Sequence, residues 1–128
     1  MVTGLGLVSP VGNTVAEGWD NILNGRSGIR RIDAFATSAF ASQIGGSIRD
    51  LDLAKYIPPK DARKMDPFIH YGIAASIQAM EDAGLEVTDE NAERIGICIG
   101  SGIGDYPALK RAMRTTPTAD PGRSHHSS

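Results

Sequence analysis

Residues 66–85 read DPFIHYGIAASIQAMEDAGL, and residues 94–100 read RIGICIG. The first stretch has helical spacing. Ile69, Ile73, Ile77 and Met80 recur at intervals of three and four and share one face, while Ala75, Ala79 and Ala83 form a second, smooth stripe. Asp66 can cap the first turn, Pro67 stands where its missing N–H costs nothing, and Gly84 can close the helix. Apolar or small residues on two faces predict a helix packed on both sides. The second stretch is a near-continuous apolar run bounded by glycine, the pattern of a buried strand. A helix followed by such a strand predicts an α/β layer. TDENAE, residues 88–93, predicts a polar connection or a short helical turn between them.

Working outward, residues 1–8 are short and apolar, with Val2 and Val8 flanking glycines, and read as a strand. In TVAEGWDNILNG, residues 14–25, Thr14 and Glu17 fit a capping box, in which hydroxyl and carboxylate satisfy reciprocal backbone donors. Val15, Trp19, Ile22 and Leu23 fall on one face, and Gly25 can take the left-handed conformation that stops the helix. Residues 26–59 are less regular. QIGGSI, residues 43–48, is compatible with an extended segment weakened by two glycines, and DLAKY, residues 52–56, with a short helix ended by Pro58 and Pro59. The pattern changes after Gly104. Residues 107–114 could form a turn or two of helix, and residues 115–128, rich in Thr, Pro and Ser, lack apolar periodicity and read as a disordered tail. The expected division is therefore a structured segment 1–104 and a divergent tail 105–128. No internal repeat is present.

A chain of 128 residues suffices for one compact domain, typically about 100–200 residues. No apolar run approaches the roughly 20 residues that span a bilayer. A formal charge of −2 argues against wholesale binding to nucleic acid or anionic membrane. One cysteine makes no internal disulfide, and the N-terminus has no basic region ahead of an apolar core, so the expected compartment is the cytoplasm.

The residues that could carry chemistry have ordinary readings beside the functional ones. Cys98 lies between Ile97 and Ile99 in the predicted strand, so it reads as a small buried apolar side chain rather than an activated thiolate. GSGIGD, residues 100–105, does not match G-x-G-x-x-G. TGLGLVSP, residues 3–10, is closer, but Pro10 and Gly12 intervene before the cap at Thr14, so a phosphate would not meet a helix N-terminus. No P-loop lysine is present, and these glycines read as turns; no dinucleotide or other cofactor is expected. His70 has no acidic partner at ligand spacing, His125 and His126 lie in the tail, and a single cysteine supports no metal site. PPKDARKMD, residues 58–66, places Lys60, Arg63 and Lys64 at i, i+3 and i+4, on one face if the turn is helical. Such a cluster is either a solvated face or a docking patch for an acidic or phosphorylated partner.

Four stretches, VTGLGLVSPVGNTV, then Trp19 with LNGRSGI, then RKMDPFIHYGIAASIQAMEDAGL, then ENAERIGICIGSGIG, resemble in this order the N-terminal part of beta-ketoacyl-[acyl-carrier-protein] synthases, especially the type II elongating enzymes. The resemblance is collinear from Val2 to Gly104. It implies part of a thiolase-like fold, N-terminal part only, in which pseudo-symmetric halves have layered α-β-α-β-α architecture, and an intact enzyme that is a homodimer. It implies an acyltransferase of fatty acid biosynthesis that condenses an acyl chain held on a cysteine with malonyl carried on acyl carrier protein, assisted by two histidines. The family's nucleophile and histidines lie downstream of GSGIG and have no counterpart here, so no catalytic residue is assigned, Cys98 included, and the chain alone is expected to be inactive. Two roles do carry over: Ile103 matches the apolar side chain that the loop contributes to the acyl pocket, and Lys60, Arg63 and Lys64 match the carrier-protein patch. A non-catalytic module that binds acyl carrier protein or pairs with a ketosynthase chain is the alternative.

Overall fold

The computed structural model describes residues 1–104. The helical turn and disordered tail expected at residues 105–128 lie outside the described residues. Helix α1 spans Val15–Leu23. Strands β1 (Ile29–Arg31) and β2 (Ile44–Gly46) follow, then a one-turn helix α2 (Pro59–Ala62) and the long helix α3 (Pro67–Asp82). Short 3₁₀ turns, Leu53–Lys55 and Ala92–Arg94, occupy the two segments read as short helical turns.

Local chemistry explains the helix ends. The Thr14 hydroxyl accepts from the Glu17 amide at 3.2 Å, and the Glu17 carboxylate accepts from the Asn13 amide at 2.9 Å. This is the predicted capping box with its return bond one residue earlier. At the other end the Gly25 amide donates to the Ile22 carbonyl at 3.1 Å and the Arg26 amide to Asn21 at 2.8 Å, with Gly25 at φ +64. Gly84, at φ +61, closes α3 with the same pair of bonds, to Glu81 at 3.1 Å and from Leu85 to Met80 at 3.0 Å. Both glycines thus supply the left-handed residue of a Schellman stop.

The smooth stripe of α3 is covered by the chain's first residues. A Cβ on Gly6 would strike the Ala75 carbonyl, and one on Gly4 the Ala79 carbonyl. The Leu5 amide donates to the Asp82 carboxylate at 2.9 Å and the Leu7 amide to the Gln78 side-chain carbonyl at 3.1 Å. Residues 1–8 therefore lie against α3, but no strand ladder forms there. The expected strand is corrected to a segment whose donors are taken by helix side chains, because no strand runs beside it among the described residues.

The strand expected at residues 94–100 is corrected in the same way. The described residues hold one sheet, the antiparallel pair β1–β2 with Ile29 opposite Gly46 and Arg31 opposite Ile44. Ile97 is 74% exposed, Ile99 and Cys98 are also exposed, and no ladder includes them. Apolar alternation makes a buried strand only where neighbouring strands and covering layers exist. The core is correspondingly small: among the described residues Ile57 and Ala74 are the buried apolar side chains. Trp19, Ile22 and Leu23, the apolar face of α1, are exposed, and α1 meets its neighbours at Gly18, whose backbone crowds Gly12.

Candidate functional site

The basic residues sit on a short element with firm supports. Ile57 is buried, and Pro58 and Pro59 start α2 immediately after it. The Asp61 and Ala62 amides donate to the Pro58 carbonyl at 2.9 and 3.0 Å, and the Lys64 amide to Asp61 at 3.0 Å. Arg63 closes the helix with helical backbone angles (φ −66, ψ −19). The helical condition on the patch thus holds from Lys60 to Arg63, and Lys64 follows in the next turn. All three side chains are exposed, and the two ion pairs among the described residues, Arg26–Asp20 and Arg49–Asp33, involve none of them. The His70 ring nitrogen Nε2 lies 2.8 Å from the Ala62 carbonyl, to which it donates in the matching tautomer. This ties the end of α2 to α3, so the lone histidine has a structural partner.

Residues 100–104 form a separate loop. Ile103 is 76% exposed. The Gly104 amide donates to the Ser101 hydroxyl at 3.2 Å, and Gly104 adopts φ +73, a conformation that disfavours any Cβ. Cys98, expected to be buried, is exposed, because the run that holds it is not inside a sheet. Among the described residues no group of three or more His, Cys, Asp or Glu could hold a metal.

Sequence reasoning missed two features. A polar cavity of about 380 Å³ lies between the turn at residues 9–14, α1 and residues 49–56, and Arg30, Arg49, Asp50, Asp52 and Lys55 line it. Its residues come from segments with no shared motif, so spacing held no signal for it. Gln78 is a junction: besides accepting from Leu7, its amide group donates to the Asn13 carbonyl at 2.7 Å and the Tyr56 hydroxyl at 3.1 Å. Nearby, Arg49 donates to the Asp33 carboxylate at 2.8 Å and to the Arg31 carbonyl at 3.2 Å. The hydrogen bond from Arg49, and then its charge, hold the Asp33 carboxyl below its ordinary range.

Residues 1–126 match the family described as Beta-ketoacyl synthase, N-terminal domain. The chain belongs to the beta-ketoacyl synthase family. Relatives named 3-oxoacyl-[acyl-carrier-protein] synthase 2 include that of Vibrio harveyi, 55% identical over 110 residues, which span 86% of this chain and 26% of the relative. The protein of that name from Vibrio cholerae is 57% identical over 86% of this chain and 27% of its own length. The one from Coxiella burnetii is 41% identical over 94% of this chain and 29% of its own. The chain thus spans about a quarter of these beta-ketoacyl synthases. A solved structure, the ishigamide ketosynthase/chain length factor, superposes with a TM-score of 0.57 at 32% identity, over 66% of this chain and 21% of that one. No helix among the described residues is long and apolar enough to cross a membrane.

Proposed function

We propose that the chain is the N-terminal part of an elongating 3-oxoacyl-[acyl-carrier-protein] synthase, which lengthens acyl chains by decarboxylative condensation of malonyl-carrier protein with acyl-carrier protein. The observation that carries this reading is the 55% identity to the Vibrio harveyi synthase over 110 residues. In this reading Lys60, Arg63 and Lys64 dock acyl carrier protein. Their exposure, and the absence of ion pairs to them among the described residues, leave three cations available to an acidic partner. Ile103 projects from its loop as the apolar group that gates the acyl pocket. The layered thiolase-like architecture, the homodimer and the cytoplasmic setting belong to the intact enzyme in the same reading. In this reading residues 1–128 carry no counterpart of the family's nucleophile or of its two histidines, so the chain alone does not condense.

The test presents the 128-residue chain with acyl- and malonyl-carrier protein. Saturable, salt-sensitive binding of carrier protein without ketoacyl product is expected. Product above a protein-free control would overturn the non-catalytic part, and absence of binding at low salt would overturn the docking assignment.

A further inference from the structure

We infer that Ser101 is the positioning residue for Ile103, holding it where it discriminates between acyl chain lengths. The inference rests on the reading of Ile103 as the pocket gate. Residues 100–104 contain glycine at positions 100, 102 and 104. An added Cβ at any of the three would meet nothing within 4 Å among the described residues, so within these residues the loop's restraint comes from its own backbone and side chains. Glycine also has the largest conformational freedom to lose. A gate in such a loop is useful only if something else limits where its side chain points. The described residues offer two restraints: the 3.2 Å bond from the Gly104 amide to the Ser101 hydroxyl, and the left-handed Gly104 backbone at φ +73. Together they close a turn with Ile103 between its two ends. Serine hydroxyls stabilise such local turns by accepting a nearby amide. The Ser101 side chain therefore acts through the backbone on Ile103 and need not touch substrate.

Two measurements test this. The first uses hydrogen exchange of the full 128-residue chain. Ser101→Ala should speed exchange of the Gly104 amide about fivefold, the effect of losing one ordinary hydrogen bond, and Ser101→Thr, which keeps a hydroxyl, should restore the parent rate. An unchanged rate in Ser101→Ala overturns the inference. The second replaces the aligned part of the Vibrio harveyi synthase with residues 1–104 and compares kcat/KM for long and short acyl-carrier proteins. Ile103→Ala is expected to change the long-to-short ratio. Ser101→Ala should move it in the same direction but less, by about fivefold, while Ser101→Thr leaves it at the parent value. If Ile103→Ala changes the ratio and Ser101→Ala does not, the positioning role is wrong and the gate reading stands. If neither changes it, the gate reading itself falls.

Discussion

Gly6 shows how one atom decides a contact. The Cβ of an alanine there would occupy the position of the Ala75 carbonyl, a backbone atom of α3 that cannot swing aside. Overpacking of this kind costs about 1–3 kcal/mol. Gly6→Ala should therefore lower the urea midpoint measurably, and an unchanged midpoint would show that residues 1–8 do not lie on α3 in solution. Asp33 offers a subtler test. Its folded value is depressed by Arg49, so its contribution to stability is present above the unfolded carboxylate value and fades as pH falls through the folded one. Because the carboxylate is exposed, the stability at stake is small, and the titration itself is the better readout. The carboxyl carbon of Asp33 should titrate below ordinary aspartate, and Arg49→Gln should bring it back up. Neither contact was legible in the sequence. Gly4 and Gly6 read as turn or strand residues and Ala75 and Ala79 as a smooth stripe, but spacing within a segment says nothing about which segments meet.

Among the elements, the helices and the extended segment at residues 43–48, which holds β2, were legible, and the two apolar runs read as strands were not, for a physical reason. A helix satisfies its backbone within itself, so its caps and periodicity are local facts. Thr14, Glu17, Gly25, Pro67 and Gly84 stand where the sequence reading puts them. A strand needs a neighbour, and RIGICIG has none among the described residues. Gly84 gives the sharpest check on a helix end. Forcing its left-handed backbone on a side chain costs roughly 1–2 kcal/mol, so Gly84→Ala should destabilise the chain by about that amount in chemical denaturation, with helix content at low denaturant little changed. The patch belongs to this scale as well, because α2 presents it. Arg63 closes α2, and glutamate has a comparable helix propensity, so Arg63→Glu should leave circular dichroism nearly unaltered. Carrier-protein affinity should nevertheless fall more than for Lys60→Ala, since a like charge facing the acidic partner adds repulsion to lost attraction. The difference should shrink in 1 M salt, where the Debye length is about 3 Å. Equal affinities at low salt would reduce the patch to a solvated face. That Lys60, Arg63 and Lys64 cluster on the surface was legible because three cations lie within five residues, whereas their docking role is a proposal; the 380 Å³ cavity was not legible, because its lining is scattered from Ser9 to Tyr56.

At the scale of the whole molecule the decisive fact is how much apolar surface these residues leave open. Trp19, Ile22 and Leu23 on α1, Phe35 and Phe40 beyond β1, and Ile97, Ile99 and Ile103 near residue 100 are all exposed large hydrophobic side chains, against a buried apolar core of Ile57 and Ala74. The hydrophobic effect is worth about 25 cal/mol for each Å² removed from water, so every contact that covers these groups is favourable. Exposed contiguous patches beyond a few hundred Å² promote association. The 128-residue chain on its own should therefore bind a hydrophobic dye in its native state and increase in average mass with concentration on light-scattering chromatography. The apolar face of α1 allows a directed test. Leu23 is exposed, so Leu23→Arg removes no core contact, and arginine is a good helix former near a C-terminus that favours positive charge. That substitution should lower dye binding and association without loss of helix content. A parent chain that stays monomeric across the concentration range and melts cooperatively would show instead that these faces are covered within the 128 residues.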